Sequence, residues 1–214
     1  MGAVAGIVGL FGVWILAAEL FNPQLDYFPT DAKAAESTAA AQHASLTAAH
    51  IGVIRGGLWT AAAIAEAAPL LLAPARAQSQ EDDIARATET VMRAARLAPH
   101  DSRVWLILAG LEARLPRQSN RTAAEALKLS YYTAPNEFEL APLRLSVAAR
   151  IAGDEELQGM TRAEIQRILL KRPDLKPAIL AAYKSGIASS QKLFEAILRE
   201  ADPNLLGISK GAPR

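Results

Sequence analysis

The residues able to do chemistry in this chain are few and poorly grouped. Its three histidines are His43, His50 and His100. His43 and His50 are seven apart, two helical turns, which places them on one helix face about 10 Å from each other. That separation is too long for both to ligate one ion, and no carboxylate stands between them. His100 follows Pro99 and is read as a solvent-facing turn residue. The chain has no cysteine, which excludes disulfides, zinc ribbons, iron–sulfur clusters, c-type haem attachment and thiol catalysis. The acidic runs Glu81-Asp82-Asp83 and Glu155-Glu156 stand where helices begin, and negative charge there complements the helix dipole. A catalytic carboxylate pair would need convergence of separate elements that no spacing here indicates. Gly6, Gly9 and Gly12 form no phosphate-binding loop. They fall in an apolar run, with a spacing one short of the helix-dimer motif. Asn120-Arg121-Thr122 fits a glycosylation acceptor, and Asn120 fits equally well as a helix N-cap. No catalytic, cofactor-binding or metal-binding set emerges, and the chain is not expected to be an enzyme.

What remains is binding chemistry. From residue 79 onward the chain carries 20 basic and 17 acidic residues, a net of +3. Arg93, Arg96, Arg103, Arg114, Arg117 and Arg121 crowd into one stretch. Such a group is either a solvated helix face or an arginine-lined groove for an acidic protein segment or anionic polymer. Of Tyr131-Tyr132, the tyrosine at helical spacing from Leu127 belongs to the core, and its neighbour points elsewhere. Arg103, Tyr132 and Arg144 are the residues assigned to partner contact. The whole chain has a net charge of +1, which argues against a nucleic-acid binder.

The elements that must position these residues are helical. Of 214 residues 45 are Ala, the strongest helix former, and aromatics make up 6%. Residues 1–18 hold no charge, and a helix over 2–21 is read as a transmembrane anchor, since eighteen residues rise about 27 Å. Asn22-Pro23 ends it. A cleaved signal peptide lacks its basic n-region here, and a buried core helix is the third reading. With no Lys or Arg before Lys33 and with Glu19, Asp26 and Asp31 behind the segment, the bulk of the chain is placed outside the cytoplasm. A second apolar stretch, 51–77, carries Arg55 and Glu66 and is broken by Gly56-Gly57, Pro69 and Pro74. Burying both charges in hydrocarbon would cost several kcal/mol, so this segment is read as a helix packed against its neighbours. Ala75-Arg76-Ala77 imitates a leader-cleavage site by coincidence.

Thr30-Asp31 offers an N-cap for a long helix over 31–54, and a helix over 58–72 follows. Ser79 with Asp82 resembles a capping box for a helix over 80–97. From there a period is visible. Pro99, Pro135, Pro173 and Pro203 are spaced by 36, 38 and 30 residues, each behind an apolar helical stretch. Val104, Leu108, Leu111 and Leu115 follow the first, and Leu140, Leu143, Val147 and Ile151 the second, both at helical spacing. Ile179, Tyr183 and Ile187 follow the third. Second helices lie between them at 120–132, at 161–171 with Thr161 and Glu164 as a capping box, and at 190–200.

This proline-closed helix–turn–helix period resembles the tetratricopeptide repeat (TPR). RAARLAPHDSRVWLILAGLEARL is its best stretch. Ala94-Ala95 and Pro99 suit the end of a second helix, and Trp105 and Leu108 the start of a first. Ala109 stands where the family has Gly, and Gly110 comes one later. Ala123, Leu127 and Pro135 keep the expected steps of four and eight. The resemblance covers about residues 80–203 and implies a right-handed superhelix of stacked hairpins with a partner-binding groove.

The expected fold is all-α. A transmembrane anchor at 1–21 is followed by an Ala-rich hairpin and linker at 22–78, TPR-like helical repeats at 79–203 and a frayed tail at 204–214. The expected role is a membrane-anchored protein–protein interaction or scaffold module of the bacterial cell envelope. It would be accessory to an assembly such as polysaccharide synthesis or export, sit in the inner membrane with its bulk in the periplasm, and need no cofactor. Its partners would be other membrane or envelope proteins and, through the N-terminal helix, the lipid bilayer, with no nucleic acid. The alternative is a small structural subunit built into a multi-subunit membrane enzyme.

Overall fold

The computed structural model describes residues 2–23, 25, 28–29, 32–72, 80–115, 120–151 and 153–206. Thr30-Asp31, Ala75-Arg76-Ala77, Ser79, the Asn120 side chain and the tail from 207 lie outside the described residues, so the caps and the fraying expected there are not described. Among the described residues the fold is all-α. Eleven α-helices are present: α1 (Gly2–Leu20), α2 (Ala32–Ala40), α3 (Gln42–Gly52), α4 (Gly56–Leu72), α5 (Gln80–Leu97), α6 (Ser102–Glu112), α7 (Asn120–Thr133), α8 (Ala141–Arg150), α9 (Glu155–Lys171), α10 (Lys176–Ser185) and α11 (Ala188–Ala201). The chain divides into two compact units, Met1–Leu111 and Glu112–Arg214.

In the first unit α4 is the centre. It packs against α2, α3 and α5. Leu58, Trp59, Ile64 and Leu71 are buried along it, with a run of alanines between them. Alanine's small side chain lets three helices approach one. Glu66 sits in this packing at 9% exposure, with Gln42 Nε2 donating to its Oε1 at 3.4 Å. The expectation of a helix packed against its neighbours holds for this segment. Pro69 is accommodated inside α4, which runs on to Leu72. Gly56 starts the helix beside the end of α5. A Cβ there would meet Leu97 O and Ala98 Cβ, each at 2.8 Å, so only glycine fits this crossing.

One expectation for this unit changes. The long helix 31–54 is two helices, because the chain turns at Ala41, where Ser45 Oγ donates to Ala41 O at 3.0 Å. No glycine or proline marks that break. The N-terminal helix is docked on the rest of the unit. Trp14 Nε1 donates to Ile51 O at 2.6 Å, Ala18 is fully buried, and α1 packs on α3. Described side chains of α1 begin at Val4, and among the described residues no helix is long and apolar enough to cross a membrane. Yet Val4, Ile7, Val8, Leu10, Phe11, Val13, Leu16 and Leu20 all stand exposed along it.

In the second unit alternate helices stack. α7 packs on α9 and α9 on α11, while α8 packs on α10. Helix pairs stacked in this order are compatible with a helical repeat. Leu145, Ile165, Ile168, Ile179, Phe194, Ile197 and Leu198 form the core, with Leu175, Tyr183 and Leu193 packed around it. The prolines punctuate as expected. Pro135 lies in the α7–α8 turn and Pro173 opens a 3-10 turn before α10. One start was misplaced. α9 begins at Glu155, capped by Asp154 accepting from Leu157 N at 2.9 Å, rather than at Thr161. Thr161 and Glu164 are both buried on the helix, and Thr161 Oγ1 donates to Leu157 O. They form no capping box.

Candidate functional site

The three residues assigned to partner contact have three different environments. Tyr132 is 59% exposed, and its hydroxyl donates to Glu156. Tyr131, next to it, is buried, as the spacing from Leu127 requires. Arg103 is fastened by its neighbour Asp101, with Nε donating to Oδ1 at 2.9 Å and Nη2 to Oδ2 at 2.7 Å. Arg144 has no exposed surface at all. It is an interior residue of α8 and presents nothing to a partner.

Arg144 instead centres a buried polar cluster. Its Nε donates to Ser130 Oγ at 3.1 Å and its Nη2 to Ser130 O. Its guanidinium lies over the Tyr131 ring, 4.8 Å from the centroid. Its Nη1 is 3.7 Å from Glu164 Oε1 and makes no hydrogen bond. Tyr131 Oη donates to Glu164 Oε2 at 2.7 Å. The cluster thus joins α7, α8 and α9. Burial pushes the Glu164 carboxyl up to about 7, against the opposing pull of Tyr131 and Arg144. Burial likewise lowers Arg144 and raises Tyr131. The sequence did hold a sign of this. Arg144 stands four residues after Leu140 and three before Val147, on the same stripe as the core leucines, and such a position is interior even when charged.

Elsewhere on α7 the buried Lys128 gathers three carboxylates. Its Nζ is 2.9 Å from Glu125 and Asp154 and 3.0 Å from Glu156. These bonds raise the Lys128 pKa, and the backbone bond from Leu157, with the bond from Lys128, lowers that of Asp154. The acidic start of α9 is therefore both capped and cross-tied, which exceeds the dipole role expected for it. Beyond it lies a cleft of about 280 Å³ between α8, α9 and α11. Ala148, Ile151, Leu157 and Leu193 give it apolar walls, and Thr161, Ser189 and Lys192 its polar ones. Ser190 Oγ donates to Ala148 O and Ile151 O, fixing the start of α11 beside it.

The arginine-rich stretch is spread over several environments. Arg93 lies over the Trp59 ring at 4.1 Å, and Arg114 is driven down to about 10 by burial and by Arg150. Arg117 lies outside the described residues. His43 and His50 are exposed, and His50 Nδ1 lies 2.7 Å from Leu46 O. Among the described residues no group of three His, Asp or Glu side chains is placed to hold a metal. The geometry therefore offers an apolar-walled cleft and an exposed apolar helix. No family model matches the chain, and no curated protein or solved structure shows significant similarity to it.

Proposed function

We propose that this chain is a membrane-anchored scaffold of the bacterial cell envelope, holding a partner protein on a short TPR-like stack of helices. The observation that carries the reading is α1. It has no charge before Glu19 and keeps eight large apolar side chains exposed from Val4 to Leu20. Soluble proteins rarely leave so continuous an apolar surface open to water. Over Gly2–Leu20 the backbone rises about 28 Å, close to the hydrocarbon thickness of a bilayer. Its lower, docked half belongs to the folded unit, so the reading is a lipid-embedded helix built into that unit rather than a separate tether.

The alternate stacking of α7 to α11 supports the scaffold role. In such stacks a partner segment lies along one face and inserts side chains between helices. The cleft walled by Ile151, Leu157 and Leu193 has the size and apolarity for one aliphatic side chain of a partner, and Lys192 favours an acidic neighbour. The partner is thus a protein, and nucleic acid is disfavoured by the near-neutral charge. The placement is the inner membrane with the bulk in the periplasm, accessory to an assembly such as polysaccharide synthesis or export. Embedding raises the local partner concentration, so a modest cleft suffices.

In-cell crosslinking, followed by purification in mild detergent through a C-terminal tag and mass spectrometry, tests the reading. One or two stoichiometric envelope proteins are expected, and Leu193→Asp in the cleft should lose them while leaving the chain in the membrane fraction. Recovery of the chain alone, or of the same partners with Leu193→Asp, would defeat the scaffold role. Release of the chain by alkaline carbonate would defeat the anchoring.

A further inference from the structure

The C-terminal end of α1 meets the turn between α3 and α4. Arg55, on that turn, pairs with Glu19 through its Nη2. Its Nη1 is shielded from solvent and has no hydrogen-bond partner. Leaving a cationic donor shielded and unmatched costs stability, and such a group asks for an acceptor. The Arg55 side chain also lines a cavity of about 190 Å³, together with Asn22, Leu25, Gly57, Leu58, Ala61 and Arg103. Two guanidiniums thus share a space smaller than a typical organic-ligand pocket, which suits a single small oxyanion. The first turn of α4, at Gly57, adds the positive end of a helix dipole.

The surroundings say which oxyanion. Leu20 and Phe21, beside Glu19 in the chain, are exposed at 84% and 47%, and Val53 and Ile54, beside Arg55, at 48% and 69%. Val53 holds this turn at a φ of 37°, a conformation a β-branched residue rarely adopts. An ion-paired arginine flanked on both strands of the junction by open apolar side chains matches the boundary of a bilayer. There the apolar groups enter the acyl region while arginine meets phosphate.

We propose that this cavity is a binding site for the headgroup phosphate of an anionic phospholipid, held by Arg55 and Arg103. The site rests on the reading of α1 as lipid-embedded, because α1 then brings its own C-terminal end to headgroup depth. Asp101 holds Arg103 in a fixed rotamer, and Glu19 does the same for Arg55, so the phosphate meets two preset donors.

The test uses the full chain in a neutral maltoside detergent. It is titrated separately with dihexanoyl phosphatidylglycerol and with inorganic phosphate, and the melting midpoint is followed by tryptophan fluorescence. The lipid should raise the midpoint saturably, and Arg55→Gln should raise the half-effect concentration by about tenfold, the worth of one charged hydrogen bond. No lipid-dependent rise, or the same titration with Arg55→Gln, overturns the site. An equal rise with inorganic phosphate at equal concentration overturns its lipid character. Should Arg55→Gln melt without cooperativity, Arg55→Lys and Arg103→Gln decide, and unchanged titrations in both overturn the proposal. Carbonate extraction reports separately on α1. A chain that carbonate releases, yet that binds the lipid in an Arg55-dependent way, refutes the anchoring and leaves this site standing.

Discussion

At the scale of single residues the second unit turns on Glu164 and Arg144. Both are essentially inaccessible, so removing either strands the other in the interior. Arg144→Met should cost about 3–5 kcal/mol in urea denaturation at pH 8, where Glu164 is ionised. Arg144→Met combined with Glu164→Leu should recover much of that loss, because no orphaned charge remains. A double variant as unstable as the sum of the singles would show that the pair is not coupled. The pH dependence follows from the folded-state value of about 7 for Glu164 against 4.5 for the free side chain. Between these values the native state holds more protons than the unfolded state. Stability from this group is therefore greatest below about pH 4.5 and declines as pH rises through 7. Glu164→Gln should flatten that decline, which denaturation midpoints from pH 4 to 8 would reveal. An unchanged slope in the variant would place the titration elsewhere.

At the scale of elements the turn into α4 gives a sharp contrast between adjacent glycines. Gly56→Ala forces a methyl against Leu97 O and Ala98 and should cost about 1–3 kcal/mol by thermal melting. Gly57→Ala meets nothing within 4 Å and should be neutral or stabilise by about 0.5–1 kcal/mol through lower unfolded-state entropy. Similar penalties at the two positions would refute the close crossing of α4 and α5. This scale also shows what the sequence could and could not convey. Proline placement and the apolar stripes located α5, α7 and α11 closely, because both signals are local. The break at Ala41 was invisible, since an alanine run carries no turn residue. Thr161 and Glu164 mimicked a cap because a Thr-x-x-Glu spacing also places both side chains on one buried face. Asp154, the residue that does cap α9, stood in plain view behind Gly153. Arg144 was assigned to partner contact, and its destination depended on Tyr131 and Glu164 arriving from two other helices. Convergence of that kind has no local signature.

At the scale of the whole molecule the division at Leu111 and Glu112 separates two cores. Trp14, Trp59 and Trp105, all the tryptophans of the chain, belong to the first. Tryptophan fluorescence therefore reports the first unit, while far-ultraviolet circular dichroism reports both. Arg144→Met should lower the dichroism-detected urea midpoint and leave the fluorescence midpoint unmoved. A joint shift would mean that the two cores melt as one.

The fastening of α1 at two levels, by the Trp14 indole to Ile51 and by Glu19 to Arg55, has a mechanical meaning. One attachment point permits swivel, whereas two at different heights along a rod suppress both swivel and tilt. A domain on a loose leash samples a hemisphere of headings above the surface it is tied to. This one is splinted, so on the proposed embedding of α1 the attitude of its first unit to the bilayer is settled when the chain folds. The orientational entropy is then lost once, during folding, instead of at every encounter. Replacing Trp14 by Phe cuts one fastening and keeps the aromatic bulk, and it should slow capture of a membrane-bound client while sparing capture of a dissolved one.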